Sequence, residues 1–343
     1  MSIAPATRLV ATDKAAWYLA SRLSAAQCLE HAGELGGVVL RGRAGMRQAT
    51  KLRQAGFSGR LRLDPAAYED PTGASTSSPT LWDFWHQQQV EIGVVEFISP
   101  GSYVPKRSLK SLRIAIRAES SWVRKHGGRV SLALDSSWLT TGLADLIREL
   151  KAVELPLAVA FSHRYDPLGS AAAVRGLITL LGEVPDVAIL RCDIGAIGAI
   201  AHGAALGAIG TSSTVRHAFP PDQRGGGGGG GPAVFVPSLL DYRQGAFLAQ
   251  LPRGTCPRCP YECCDNQEVG RFYAQFRADE AMRHNRISIS RITEEVLRRA
   301  PADRPAHFTL MCQSAVRTAA HLSAQAKRPF DTRPQVEAWA DVI

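Results

Sequence analysis

Four cysteines fall within one short run, Cys256-Pro-Arg-Cys259-Pro-Tyr-Glu-Cys263-Cys264, and a histidine follows at His284. Thiolate sulfur and imidazole nitrogen are the donors Zn²⁺ prefers, and closely spaced cysteines can wrap one ion through a tight turn. In a reducing compartment such clustering speaks for metal rather than for disulfides. Pro-Arg and Pro-Tyr-Glu between the cysteines argue against a set of buried free thiols. The expected ligands are Cys256, Cys259, either Cys263 or Cys264, and His284. Four protein ligands leave no coordination position open, so the zinc would be structural. A [4Fe–4S] cluster on four cysteines is the competing reading, and the histidine favours zinc.

A second set of reactive groups stands where short apolar runs end. Asp64 follows Arg-Leu-Arg-Leu and Asp135 follows Ser-Leu-Ala-Leu, two similar contexts. Asp193 follows Arg191-Cys192, and His163 follows Ser162. A carboxylate can attack an anomeric carbon, act as a general base, or accept from a purine's N–H groups. Aspartate is also a common helix N-cap at strand-to-helix turns. Paired contexts favour function for Asp64 and Asp135, whereas Asp193 stays nearer the cap. His163 could be an acid, a base or a substrate contact, or a polar surface residue. Tyr68 and Trp138 could stack on a flat base or pack the loops.

The elements that must position these groups read as alternating strands and helices. Apolar runs at 38–40, 61–63, 93–98, 130–134, 157–161, 187–190 and 206–209 give seven strands, with an eighth at 8–12 or 233–236. Helical periodicity fills 108–124, 143–153 and 171–181, each long enough for a β-α-β crossover. That repetition predicts an α/β protein, a (β/α)8 TIM-like barrel, with a doubly wound sheet as the alternative. In such a barrel, reactive groups gather at the C-terminal ends of the strands. The barrel is expected over 1–250, a zinc-binding segment over 251–290 and a C-terminal helical region over 291–343. Within the latter two, 268–283, 292–299 and 307–327 read as helical. The glycine run 225–231 reads as a surface loop, because no Lys-Ser/Thr or helix start follows it.

Composition narrows the class. With 45% hydrophobic and 21% charged residues, the chain has a globular profile and can bury a core without a metal. No run has the length of a membrane span or a signal peptide, so a cytoplasmic location is expected. The net charge of +9 suits a polyanionic partner such as nucleic acid, and a high-GC genome that inflates arginine is the other reading.

The cysteine run, the helix segment Phe-Arg-Ala-Asp-Glu at 276–280 and His284-Asn285 together resemble the zinc-binding segment of tRNA-guanine transglycosylases. The similarity continues upstream. Gly198-Ala-Ile-Ala-His-Gly203, then Thr211-Ser212-Ser213 and Arg216, resemble that family's last barrel helix and strand. Asp64-Pro-Ala-Ala-Tyr68 stands where the family has Asp-Ser-Gly-Gly-Phe, and Asp135-Ser136 stands where it has an aspartate that holds the purine. The resemblance implies a (β/α)8 barrel exchanging guanine for a 7-deazaguanine. Asp64 would be the catalytic carboxylate, and Asp135 with Ser136 would hold the base. Tyr68, His163, Ser212 and Arg216 would be substrate contacts. The family's nucleophilic aspartate aligns with Leu206-Gly-Ala-Ile209, which holds no acid. Either Asp193 or Asp64 substitutes, or the covalent intermediate is not made.

The leading expectation is a transglycosylase-like enzyme, a glycosyltransferase acting on guanine in tRNA or DNA. The alternatives are a non-catalytic, zinc-containing barrel that binds nucleic acid or a base, and a barrel enzyme for a small molecule. Oligomeric state, including a homo-oligomer, is left open by the sequence.

Overall fold

The computed structural model describes residues 13–342 apart from 21–22, 36, 71–78, 222, 224–230 and 328. The 8–12 strand candidate and all but the last glycine of the 225–231 run lie outside the described residues. Eight parallel strands form one sheet: β1 (Ala15–Tyr18), β2 (Gly37–Arg41), β3 (Arg60–Asp64), β4 (Ser102–Val104), β5 (Val130–Asp135), β6 (Leu157–Ser162), β7 (Val187–Cys192) and β8 (Leu206–Gly210). Their order, β3-β2-β1-β8-β7-β6-β5-β4, is a cyclic walk opened between β3 and β4. Helices α1 (Ala25–Leu35), α2 (Gly42–Gln54), α3 (Pro79–Ile92), α4 (Leu109–His126), α5 (Leu143–Lys151), α6 (Ala171–Glu183) and α7 (Gly195–Ala201) fill the crossovers. The chain is therefore a TIM-like α/β protein whose sheet curls most of the way round.

Strand alternation explains the curl. Leu132, Leu134, Val159, Phe161 and Ile189 point out and pack under the helices. The intervening Ala133, Ala158, Ala160 and Ala188 point in, together with Ala16 and Ala208. Both faces are apolar, as a parallel sheet covered by helices requires. The small inner residues leave room in the barrel for large polar side chains.

The seam between β3 and β4 shows why the predicted strand at 93–98 is misplaced. No ladder joins β3 to β4 among the described residues. Instead Val95 N donates to Leu61 O (3.1 Å) and Ala67 N to Pro100 O (3.1 Å). Ile98 makes only an isolated bridge to Arg129, and the strand proper begins at Ser102. Buried Glu119 of α4 fixes its start, accepting from Gly101 N (3.1 Å) and Ser102 Oγ (2.6 Å). Gly101 has φ +88, and a Cβ there would meet the Tyr68 ring. The eighth barrel strand is β1, outside both predicted candidates.

The 233–236 candidate is a strand, β9 (Ala233–Val236), but it pairs antiparallel with β10 (Asp241–Gln244) outside the barrel. Next come α8 (Gly245–Ala249), short 3-10 turns at Val269–Tyr273 and Gln275–Arg277, α9 (Ala278–Leu297), α10 (Arg304–Ala326) and α11 (Pro334–Ala340). The expected helix at 268–283 is thus 3-10 turns feeding α9, which runs on through most of the 292–299 segment. Val234, Val236, Leu248, Val269 and Phe272 build a separate apolar cluster in this lobe. Among the described residues no helix is long and apolar enough to cross a membrane.

Ser170 caps α6 through Ala173 N (3.2 Å). Within that helix Gly176 lets the backbone lie on the Leu139 carbonyl beyond β5, where an added Cβ would overlap the oxygen. Gly176→Ala should therefore lower stability by about 3 kcal/mol, read as a fall in Tm or in denaturant midpoint. Gly182→Ala, in the same helix with open space around it, should be neutral or raise stability by about 0.5 kcal/mol.

Candidate metal centre and adjoining cavity

Cys259, Cys263, Cys264 and His284 bring their ligand atoms within 4.8 Å of one another. The Cys259–Cys263 and Cys263–Cys264 sulfurs are 3.7 Å apart, and Cys264 Sγ lies 3.1 Å from His284 Nδ1. Sulfurs bound at ~2.3 Å around a tetrahedral ion are about 3.8 Å apart, so the spacing fits zinc. His284 Nε2 donates to Phe235 O (2.6 Å), which leaves Nδ1 bare toward the sulfurs. A backbone acceptor on the far nitrogen is the usual way a metal-binding imidazole is oriented.

The expected ligand set needs one correction: Cys256 is outside the cluster. Residues 257–269 form a small hairpin, with Cys259 N bonded to Gln267 O and Val269 N to Pro257 O. Along such extended backbone, residues three apart face opposite ways. Cys259 turns in, while Cys256 turns away and accepts from Gly270 N (3.2 Å). Both Cys263 and Cys264 join the cluster. The chain turns sharply there, with Asp265 and Asn266 both at positive φ, so adjacent thiols reach one point.

Asn285 extends the anchoring. Its Oδ1 accepts from Phe235 N (2.6 Å) and its Nδ2 donates to Ala233 O (2.8 Å). His284 and Asn285 together hold α9 against the β9 backbone.

At the barrel mouth the structure gathers Asp64 and Tyr68 with Tyr18, Glu69 and Arg191, three residues the sequence did not single out. Asp64 is wholly buried; its Oδ2 accepts from Tyr18 Oη (2.6 Å) and Tyr68 Oη (2.7 Å), and its Oδ1 from Ala66 N (2.8 Å). Burial pushes its carboxyl above the usual range, and the phenols oppose that shift. Arg191 reaches Tyr68 Oη (3.4 Å) and Thr214 O (3.0 Å) and pairs with Glu69.

The other predicted residues are dispersed. Asp135 is half-buried and accepts from Ser137 N (2.9 Å), a local cap, with half-buried Ser136 beside it. Trp138 is buried and donates to Pro105 O (3.1 Å), so it packs the loops. His163 accepts from Tyr165 N (3.2 Å). None of these lines the large cavity described next. Asp193 accepts from Gly195 N (3.3 Å) and lies 3.7 Å from Arg333.

Ser212 and Arg216 do line that cavity, of about 890 Å³, between the ends of β1 and β8, the β9–β10 hairpin and α9. Among the described residues four arginines line it (Arg216, Arg243, Arg286 and Arg333), and no aspartate or glutamate does. Arg286 is paired with Glu30 and Glu34, and Arg243 and Arg333 share Asp241. Arg216 differs. It is 8% exposed and has no carboxylate in salt-bridge range among the described residues. Its guanidinium lies 3.3 Å from the centroid of the Tyr242 ring. Arg243, Arg286 and Arg333 carried no local sequence signal, since they come from three separate elements.

No family model and no curated protein matches the chain. Among solved structures, thiamine phosphate pyrophosphorylase from Pyrococcus furiosus is similar at a TM-score of 0.32 and 10% identity, over 59% of this chain and 90% of that one. The class rests on the topology and the site: a TIM-like α/β barrel whose C-terminal lobe carries a Cys3His cluster that could hold a metal ion.

Two predictions follow from this geometry. Purified protein should carry one zinc per chain by elemental analysis; Cys264→Ser and His284→Ala should lose it, and Cys256→Ser should keep it. Asp166, near Asp193, should show itself in the pH dependence of stability. Burial, then the Asp193 charge, raises its carboxyl from 3.8 to about 7. The native state therefore binds more protons than the unfolded chain between those values, and this group's contribution falls as pH rises through that window. Asp166→Asn should raise Tm relative to wild type more at pH 8 than at pH 5.

Proposed function

We propose that this chain binds nucleic acid, tRNA or DNA, with its phosphates in the arginine-lined cavity, on a transglycosylase-like barrel that holds a guanine-type base without exchanging it. The observation that carries the reading is Arg216, a buried cation that lines the cavity and, among the described residues, meets no carboxylate there. A guanidinium in that setting calls for an anion from outside, and its planar donors suit phosphate. Ser212, at the cavity wall, supplies a hydroxyl beside it. Zinc on Cys259, Cys263, Cys264 and His284 acts structurally, because the protein fills all four positions. It supplies no reactive centre; it ties the hairpin loop to α9, which forms one cavity wall.

Absence of turnover is supported by the mouth. Asp64 is closed in by two tyrosines, and β8 offers no acid where the resembling family has its nucleophile. The second reading is base exchange. Asp64 and Asp135, at the ends of β3 and β5, favour it. The target nucleotide would leave its stack, and the Asp64 carboxylate would attack its anomeric carbon as guanine departs with the bonding pair. An incoming guanine or 7-deazaguanine would then displace the carboxylate.

One pair of assays separates these. Arg216→Ala should weaken binding to tRNA or DNA at least about tenfold and flatten its salt dependence. Wild-type protein should bind without incorporating labelled guanine. Incorporation that disappears in Asp64→Ala would establish exchange instead, and equal affinity in Arg216→Ala would refute the cavity as the anion site.

A further inference from the structure

The segment that joins the metal loop to α9 reads Arg271-Phe-Tyr-Ala-Gln-Phe-Arg277. Its three aromatic residues have different fates. Phe272 is core: it is 1% exposed and its ring lies 5.2 Å from that of His284. Tyr273 is 55% exposed and Phe276 is 83% exposed. Packing explains Phe272; the other two rings lie on one short segment and belong to no core cluster.

Their surroundings indicate the partner. Gln275, between them, lines the arginine cavity, and so does Ala278 just beyond. The Phe272–Tyr273 backbone lies directly on Gly245, where a Cβ would overlap the Phe272 carbonyl, so the segment is fixed to the start of α8, directly after the hairpin that forms another cavity wall. The Arg277 guanidinium is 5.9 Å from the Phe276 ring. The first turn of α9 carries Asp279 and Glu280, so the positive groups at this rim are the arginines. The nearby carboxylates are occupied: Glu280 lies 3.7 Å from Arg277, Glu268 lies 3.8 Å from Arg258, and Asp279 accepts from Gln27. Exposed rings interleaved with arginine, beside a cationic cavity, are what binds single strands, because every base offers a π face whatever the sequence.

We propose that Tyr273 and Phe276 form a stacking platform for unpaired bases of a single-stranded nucleic acid whose phosphates continue into the Arg216 cavity. This rests on the binding function proposed above. It makes the partner a single strand or loop rather than a regular duplex.

The test uses zinc-loaded full-length protein and fluorescence anisotropy with a labelled oligo-dT strand and an abasic strand of equal length. Tyr273→Ala/Phe276→Ala, with zinc content and Tm unchanged, should bind oligo-dT about a hundredfold more weakly, roughly tenfold per lost stack. Its binding to the abasic strand should be unchanged. Phe276→Trp should keep wild-type affinity, and its fluorescence should be quenched by oligo-dT. If the double variant binds oligo-dT as wild type does, the platform is refuted while nucleic-acid binding stands. If wild-type protein binds neither strand, both readings fall. If the double variant instead converts an oligomer to a monomer with oligo-dT binding intact, the rings contact a second copy of the chain and the platform is refuted.

Discussion

A guanidinium sealed from water sits at the barrel mouth, and the surrounding structure is arranged around its two terminal nitrogens. A buried charge is tolerated only when it is paired and hydrogen-bonded. Arg191 meets Glu69, the Thr214 carbonyl and the Tyr68 hydroxyl, and its guanidinium lies 5.8 Å from the rings of both Tyr18 and Tyr68. These contacts tie the end of β7 to β1, to the loop after β3 and to the turn after β8. A register shift in the β7–β8 ladder and a positive φ (+52) at Arg191 turn the side chain inward beside Leu190. The alanines of the inner wall provide the space. Loss of this one side chain would leave Glu69 to Arg41 alone and loosen the tyrosines around Asp64.

With the mouth filled in this way, the open space lies elsewhere. The large cavity opens to one side, where the ends of β1 and β8 face the C-terminal lobe. Its outer wall exists because His284 and Asn285 clamp β9, and the Cys3His cluster holds His284 in register with the cysteine loop. A metal held there would brace this cavity wall through the placement of α9. The aromatic rim belongs to the same construction, since the segment bearing Tyr273 and Phe276 runs from the cysteine loop into α9.

The fold was legible because burial on both faces leaves near-continuous apolar runs in β5, β6 and β7, and because 108–124, 143–153 and 171–181 carry a clear 3.6-residue period. Legibility failed at the seam. Around β4 the chain joins its neighbours by single hydrogen bonds, and Glu119, seventeen residues on, fixes the strand start; no local pattern encodes that. The metal cluster was legible in composition but not in ligand choice. The hairpin that turns Cys256 away is set by pairing with 267–269, which spacing does not reveal. Arg191 was hidden by a bulge, and the cavity arginines by their distance along the chain. Asp64 stood out in the sequence, yet neither of the hydroxyl groups that enclose it announces that role.

Amide hydrogen exchange with and without a saturating single strand tests most directly whether the ligand lies in the side cavity rather than in the barrel mouth. Protection should appear at 211–216, 231–233, 242–244 and 273–286, while 64–69 and 187–192 exchange as before. Protection at 64–69 and 135–139, with the cavity segments unchanged, would show that the ligand enters the mouth and would contradict the account.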